Sequence, residues 1–590
     1  MTQLSVQSIL QTDLNARTVG IAVSALVLLA IVYQLWLYPY FFSPIRKVPG
    51  PKGSLLDWRY VLFGEFPKIM RGEAGIVQRE WAKEYGTIIR AVGPFGISRM
   101  MFLSPTAVHK VLVSDWVEYP RPSFMRNILG IVAGYGLLTV TGDEHRQMRR
   151  FMNPAFSIPS LSAQTHMYYK PIYDLVDIIK GKIKDTSGNV FHVYDLMSMV
   201  TLDIICLTAF GYECDSLHNP KNELADAYHK LLDLQSGQNL ARLIAVVSLP
   251  GMPKLIKSEW LYNHRHWLRN WSHLKALSIM IECMHRIERV SSKILSDANA
   301  HATAVASSDS TLKGKKDVMS LLVQARMNES DGSGYKMSDS MMMQQVLTFL
   351  GAGHETTASG LTWTLWLLAT HPEIQSKLRG ALLPTLWLLA THPEIQSKLR
   401  GALLPVIAEH PNPDVRTLKS IEYLDYVVME SLRVMPPVPM TIRQAGKSDF
   451  IDGVWIPKGT LFYIAIRVIN TYKGFWGEDA EEFRPERWGK LNEAPAYHPL
   501  HSLQTFINGP HHCIGKTMAI VEMKAVLAYV HATASHFSLL DHETHFDSVF
   551  SIIIANFEFA PAYVGQTTRP TAAVTMSMLF YNLVSVKPLD

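Results

Sequence analysis

Apolar residues run without a charge from Val19 to Tyr33, pause at Gln34, and resume through Leu35, Trp36, Leu37 and Tyr38 to Phe42. A run of that length crosses a hydrocarbon core as one helix, and Tyr33, Trp36 and Tyr38 suit an interfacial aromatic belt. It is longer than the apolar region of a signal peptide, and no clear small-residue cleavage site follows it. Arg46, Lys47 and Lys52 come after the run, against Asp13, Arg17 and the terminal amine before it. Positive-inside bias therefore predicts a short lumenal segment (1–18), a single-pass anchor (19–42) and a cytosolic body. Between them, Pro44, Pro49, Gly50, Pro51 and Gly53 predict a stiff, helix-poor connector over 43–53.

Residues 84–103 read as short strands, Tyr85, Ile88, Ile89 and Ala91 leading through Gly93 and Gly96 to the apolar stretch from Met100 to Leu103. Helical spacing then dominates, over 161–184, 193–211, 221–247 and 262–296, and the polar stretch 301–315 reads as a loop. A long helix starts at Ser338 or Asp339, either of which can cap it, and carries Met341, Val346, Leu350, Leu361, Trp363 and Leu365. Its centre breaks the apolar pattern. Gly351, Ala352, Gly353, His354, Glu355, Thr356 and Thr357 put two glycines, an acid and two hydroxyls where each glycine costs up to about 1 kcal/mol relative to alanine. A flat cofactor or small ligand close to the backbone, and hydroxyls competing for a main-chain carbonyl, are the physical candidates for favouring that composition.

Thr364–Pro384 and Thr385–Pro405 are identical, an uninterrupted tandem copy. One such pair is too few for a solenoid, which would not keep every residue the same, so it reads as a local duplication. No shift in composition marks a second domain, and 54–590 is read as one body, mainly α with small β-sheets.

With 48% apolar and 18% charged residues in 590, that body can bury a large core. The net charge of +5 is scattered, without a dense basic arm, which argues against nucleic-acid binding. Cys206, Cys214, Cys283 and Cys513 are too few and too far apart for a disulfide scaffold or a structural zinc cluster, in keeping with a reducing compartment.

The sharpest chemistry lies in FINGPHHCIGKTMAIVEM, where Phe506, Gly509, His511 and Gly515 surround Cys513. A lone cysteine before a helical run can be plain packing. As a thiolate it can ligate haem iron, with glycines letting the backbone pass close to the ring and free amides donating to the sulfur. The pattern FxxGxHxCxG resembles the cysteine-ligand loop of the cytochrome P-450 superfamily, with His511 where that family usually has Arg. Other strings match the family in the expected order: GDEHRQMRR with His145 and Arg149, AGHET from Ala352 to Thr356, ESLR with Glu430 and Arg433, and FRPERW with Arg487. Glu430 and Arg433, at i and i+3, share one helix face, and Arg487 can clamp the acid in a desolvated network.

The resemblance implies the P-450 fold, a single large domain behind an N-terminal transmembrane helix at the endoplasmic reticulum. It implies haem b on Cys513, with Phe506, Gly509, Gly515, Ala352 and Gly353 close to the cofactor. Arg149, His145 and Arg443 are expected to meet the propionates, together with His511, which can titrate near neutrality. Glu355 and Thr356 would manage protons during dioxygen activation, and Glu430, Arg433 and Arg487 would scaffold the cysteine loop. No dinucleotide-binding glycine fingerprint follows a predicted strand, so electrons from NADPH would arrive through a cytochrome P-450 reductase, with cytochrome b5 as a further donor.

An apolar pocket is expected from 121–138 (Phe124, Met125, Ile128, Leu129, Val132), Phe349 and the stretch from Pro570 to Met576, suiting a hydrophobic substrate. The overall pattern is similar to fungal secondary-metabolism and xenobiotic monooxygenases. A haem-thiolate isomerase or dehydratase needing no reductase, and a non-catalytic haem sensor, are the alternatives; the acid–alcohol pair argues for oxygen activation. The sequons at Asn270 and Asn328 would stay unmodified in the cytosol.

Overall fold

The apolar N-terminal run folds as α1 (Gln3–Val32), which continues into a π-type turn over Tyr33–Phe42. The computed structural model describes residues 3–185, 190–234, 237–307, 317–328, 337–374, 414–493, 496–527, 557–561 and 583–588. Thr18–Phe42 is long and apolar enough to cross a membrane, and the chain does not cover its apolar window. Val193–Phe210 passes the same test of length and composition but is mostly buried, as a core helix should be.

After α2 (Trp58–Phe63), capped by Asp57, come the antiparallel strands β1 (Ile88–Val92) and β2 (Ser98–Phe102). The helical body follows with α3 (Ser123–Ala133), α4 (Gly142–Met152), α5 (Val193–Phe210), α6 (Glu223–Leu234) and α7 (Lys275–Ser307). Next come α8 (Asp339–Thr370) and α9 (Glu422–Val434), then β3 (Thr441–Gln444), β4 (Leu461–Ile464) and α10 (Lys516–Leu527). The four strands form one sheet in the order β1-β2-β4-β3, with β2 and β4 parallel. A hairpin of Asp449–Ile451 with Val454–Ile456, and a sheet of Val190–His192, Leu583–Pro588 and Phe557–Pro561, are the other small β units described.

Helix α8 is the axis of the fold. Ser338 caps it by accepting from Met341 N at 3.2 Å, and it packs against α3, α5, α7, α9 and α10. Its N-terminal half buries Met342, Val346 and Leu350 with Ile205 of α5 and Ile281 of α7. Its C-terminal half buries Leu361, Trp363 and Leu365 with Leu424 of α9 and Val526 of α10. An all-round apolar helix is stable only when enclosed in this way.

The helical spacing over 262–296 belongs to two helices, Glu259–Arg269 and α7, separated at Asn270–Leu274. Asn270 and Ser272 compete with the backbone for hydrogen bonds and favour a helix end there. The stretch 221–247 is likewise divided, into α6 and Gly237–Val247. Conversely α7 runs on to Ser307 through residues read as loop, because Ala302, Ala304 and Ala306 are strong helix formers. Tyr85 ends a helix, Ile76–Tyr85, rather than starting a strand; Gly86, at φ 86°, makes the turn into β1. The tandem copy beyond Ile374 and the stretch from Pro570 to Met576 lie outside the described residues.

Candidate active site

Glu430 and Arg433 project from one face of α9 and are fully buried. Arg433 donates to both carboxylate oxygens, at 2.7 and 2.8 Å, and Arg487 Nε and Trp488 Nε1 donate to the same acid at 3.1 and 3.0 Å. The other guanidinium hydrogens of Arg433 reach the carbonyls of Asn470, Ala480 and Glu482. Asp479 and Glu430 together outweigh the burial of Arg487, holding its pKa above the ordinary value. A buried pair so fully bonded costs about 3–5 kcal/mol to break from one side.

The network continues into the cysteine loop. Asn470, whose carbonyl Arg433 holds, donates to Thr505 Oγ1 at 2.9 Å and accepts from Gln504 N at 2.7 Å, while Thr505 donates to Leu432 O. Position 505 is thus fixed next to Phe506, whose carbonyl accepts from Cys513 N at 2.9 Å and closes the loop. Gly509, at φ 78°, lies where a Cβ would come within 2.0 Å of Leu112 O, so a side chain there would push the loop off residues 110–114. Cys513 itself is exposed, and open space surrounds Gly515. Although the residue keeps surface open to solvent, the protein atoms around its sulfur raise the Cys513 thiol above its ordinary value, against which the Gly515 N–H and the cations Arg149 and Lys516 favour the thiolate.

Beside this loop lie two arginines, Arg121 and Arg443, and two imidazoles, His145 and His511, with no acid among the described residues to offset their shifts. The imidazoles of His145 and His511 lie 3.9 Å apart, ring centre to ring centre, with Trp116 edge-on to both. Burial, Arg121, His145, Arg443 and Arg149 push His511 down to about 2, and burial with Arg149 and Arg121 pushes His145 down to about 4. Burial takes Arg121 down to about 10 and, with Arg121 as neighbour, holds Arg443 well below its usual range. Arg121 Nη1, Arg443 Nη2 and His145 Nδ1 are buried without a hydrogen-bond partner. Buried donors of one sign need an anion with several acceptors, and carboxylates satisfy that need.

A haem b fits these residues: its propionates would meet the donors left open at Arg121, Arg443 and His145, and its iron the sulfur of Cys513. Among the described residues no three His, Cys, Asp or Glu side chains converge as on a bare ion. Arg149 is turned elsewhere, donating to His512 O at 2.6 Å and Asn153 Oδ1 at 2.8 Å, with His512 Nε2 2.7 Å away. It braces the cysteine loop in this structure.

Arg121 escaped the sequence reading. Its signal is Pro120-Arg121-Pro122, an arginine stiffened on both sides. Gln444 N donates to Pro120 O and Gly446 N to Glu118 O, which aligns this segment with β3 and sets Arg121 beside Arg443.

On α8 the two glycines are explained by neighbouring helices. A Cβ on Gly351 would lie 3.1 Å from Ala133 Cβ of α3, and one on Gly353 would lie 2.9 Å from the Ile205 side chain of α5. The space beside Gly353 is therefore filled by Ile205 of α5. Thr356 donates to Ala352 O at 2.8 Å, and Thr357 to Gly353 O at 3.1 Å, so both hydroxyls back-bond to the helix. Glu355 is buried beside them, and His354 Nδ1 lies 2.7 Å from Leu350 O with its ring edge-on to Tyr228. One turn further on, Gly360 meets Met523 of α10, which joins this helix to the one that follows Cys513.

The Cytochrome P450 family model matches residues 56–386 and 380–546, and the two matches overlap within the tandem copy. Cytochrome P450 monooxygenase 128 of Postia placenta is 31% identical over 543 residues, which is 87% of this chain and 90% of that protein. Cytochrome P450 monooxygenase sphH of Aspergillus fumigatus is 28% identical over 525 residues, 87% of this chain and 86% of its own length. Ganoderic acid synthetase CYP5150L8 of Ganoderma lucidum is 28% identical over 534 residues, 85% and 91% of the two chains. The chain belongs to the cytochrome P450 family. Membership carries oxidoreductase activity and implies haem b, electrons drawn from NADPH and a reductase partner.

Proposed function

We propose that this protein is a membrane-anchored haem-thiolate monooxygenase that hydroxylates a hydrophobic substrate, with Cys513 as the residue that would hold the haem iron. One observation carries the reading: a glycine-bounded cysteine stands beside Arg121, His145, Arg443 and His511, of which His145 and Arg443 are buried, and no acid among the described residues offsets their shifts. When bound, haem supplies dioxygen activation for the overall change RH + O2 + 2 electrons + 2 protons to ROH + H2O.

The residues around it have separate tasks. Cys513 would hold the iron as thiolate, with the Gly515 N–H and Arg149 favouring its negative charge. Arg121, Arg443 and His145 would bind the haem carboxylates. Thr356 has its hydroxyl hydrogen on Ala352 O, which leaves its oxygen lone pairs free to accept from a proton-bearing group. Glu355, adjacent on the helix, delivers protons to that group. Glu430, Arg433 and Arg487 keep the cysteine loop in place. The span Thr18–Phe42 anchors the chain to the endoplasmic reticulum, with the body on the cytosolic side, where it takes electrons from NADPH–cytochrome P-450 reductase.

The carbon monoxide complex of the reduced protein tests the ligand. It should show the strongly red-shifted Soret band of thiolate ligation, and Cys513→Ala should abolish it. An imidazole-like band in the parent, or the shifted band surviving in Cys513→Ala, refutes the assignment.

A further inference from the structure

Glu355 follows a histidine whose outer nitrogen is left unbonded. His354 Nε2 and the hydroxyl of Tyr228, on α6, are both buried without a hydrogen-bond partner. The two rings meet edge-on, centres 4.6 Å apart and planes at 65°, and the residues are only 1% and 5% exposed. The packing of neighbouring helices brings them together. Thr201 of α5 donates to His354 O at 3.1 Å, and Arg286 of α7 holds the start of α6 through Asp226 Oδ2 at 2.6 Å and Glu223 O at 3.1 Å.

Their surroundings fix what each atom can do. His354 Nδ1 lies 2.7 Å from Leu350 O, and a carbonyl only accepts, so Nδ1 carries the ring hydrogen. Burial pushes the imidazole down to about 4, which leaves the ring uncharged near neutral pH and Nε2 a bare acceptor. Burial, then Cys206, Glu355 and Cys214, hold the Tyr228 phenol well above its usual range, so its oxygen keeps a hydrogen to donate. A buried donor and a buried acceptor that do not bond one another are each costly, and a fold normally supplies both with a partner. One water satisfies the two and has a hydrogen left over, since a water in a protein interior makes about three bonds. Glu355, the next residue of α8, is itself buried, and its charge reaches the Tyr228 hydroxyl.

We propose that Tyr228 and His354 are positioning residues that hold one buried water against Glu355, the water accepting from Tyr228 Oη and donating to His354 Nε2 and to the Glu355 carboxylate. The inference rests on the reading of Glu355 as the residue that delivers protons, and adds what keeps its carboxylate in one direction. A side chain with several rotatable bonds does not keep a single orientation without such a partner.

Infrared spectra of the carbon monoxide complex of the full, haem-loaded chain test it, because the C–O stretch responds to the field of nearby charges and dipoles. Glu355→Gln should shift the band. Tyr228→Phe and His354→Phe, which keep a ring and remove the bonding atom, should each split the parent's single band, and neither should alter the band further in a Glu355→Gln background. Thermal midpoints give a readout apart from the haem ligand: each single variant should lower the midpoint, and the double variant should lie no lower than the weaker single one, because either change removes the same water. A band that Glu355→Gln leaves in place removes the proton-delivery reading and this inference with it. A band shifted by Glu355→Gln but untouched by Tyr228→Phe and His354→Phe overturns the inference alone. Equal splitting with and without Glu355, or midpoint losses that simply add, would show that the two rings act through packing and would also overturn it.

Discussion

Arg443 is buried to 2% and spends one guanidinium nitrogen on Thr441 and on the Ile442 carbonyl, which leaves Nη2 with nothing. Arg121 is its neighbour, and the two cations depress rather than neutralise one another. A fold tolerates such a pair when a bound anion supplies the missing acceptors. Replacing Arg121 or Arg443 with Met keeps the volume and removes one charge-assisted bond, about 1.5–3 kcal/mol. Haem loss to excess apomyoglobin should therefore be roughly 10- to 100-fold faster in either variant, with the thiolate-type carbon monoxide spectrum unchanged while haem remains. Equal release rates in parent and variants would show that the cluster serves something other than the carboxylates. Arg121 also marks what a linear reading misses. A motif search finds residues by spacing, whereas Arg121 joins Arg443 through two backbone bonds between distant segments. The glycines of α8 teach the converse: their composition flagged a close approach correctly, but α3 and α5 make that approach, which no local pattern reveals.

At the scale of elements, α10 carries the consequence of standing directly behind the cysteine. It is buried on nearly every side, and this buries Glu522, whose Oε1 has no partner and whose carboxyl burial holds well above the usual carboxylate range. The folded group keeps its proton to a higher pH than the unfolded one, which ionises above about pH 4.3. Stability from this position is thus fully present below about pH 4 and declines as pH rises toward the raised folded value, because only the unfolded chain releases the proton. Glu522→Gln removes that dependence. Its thermal midpoint, followed by the haem band, should exceed the parent's by several degrees at neutral pH and match it near pH 4. A variant less stable than the parent at neutral pH would mean that Glu522 is ionised and bonded in the fold. Elements of this kind were largely legible in advance: α5, α8 and the ExxR face of α9 follow from apolar period and caps. The helix ends were less so. Asn270 splits one periodic stretch into two, and the alanines after His301 prolong another, because propensities of a few tenths of a kcal/mol decide such boundaries only in the company of tertiary packing.

At the scale of the whole molecule, the tandem copy bears on how the chain closes its core. The first copy begins within α8, where Leu365, Trp366, Leu367 and Leu368 are buried against α9 and α10, and Ile374 still belongs to the same core. On the far side the core takes up again at Val415 and Leu418, which are buried in that same cluster. Both flanks are therefore fixed, and the first copy supplies the run from Leu365 to Ala369 and Ile374 to that core. Leu386, Trp387, Leu388 and Leu389 repeat the run from Leu365 to Leu368 in sequence and lie outside the described residues. Closing a longer connection costs only about 0.6 kcal/mol for each doubling of its length, so the extra copy is tolerable thermodynamically. Its apolar content is the heavier burden, since surplus leucine and tryptophan favour association when left uncovered. Deleting Thr385–Pro405 should preserve or raise the yield of haem-loaded protein, keep the thiolate spectrum and reduce the aggregated fraction on size exclusion in detergent. A deletion variant that folds but cannot retain haem would show instead that the second copy contributes to the core that holds α9 and the cysteine loop together.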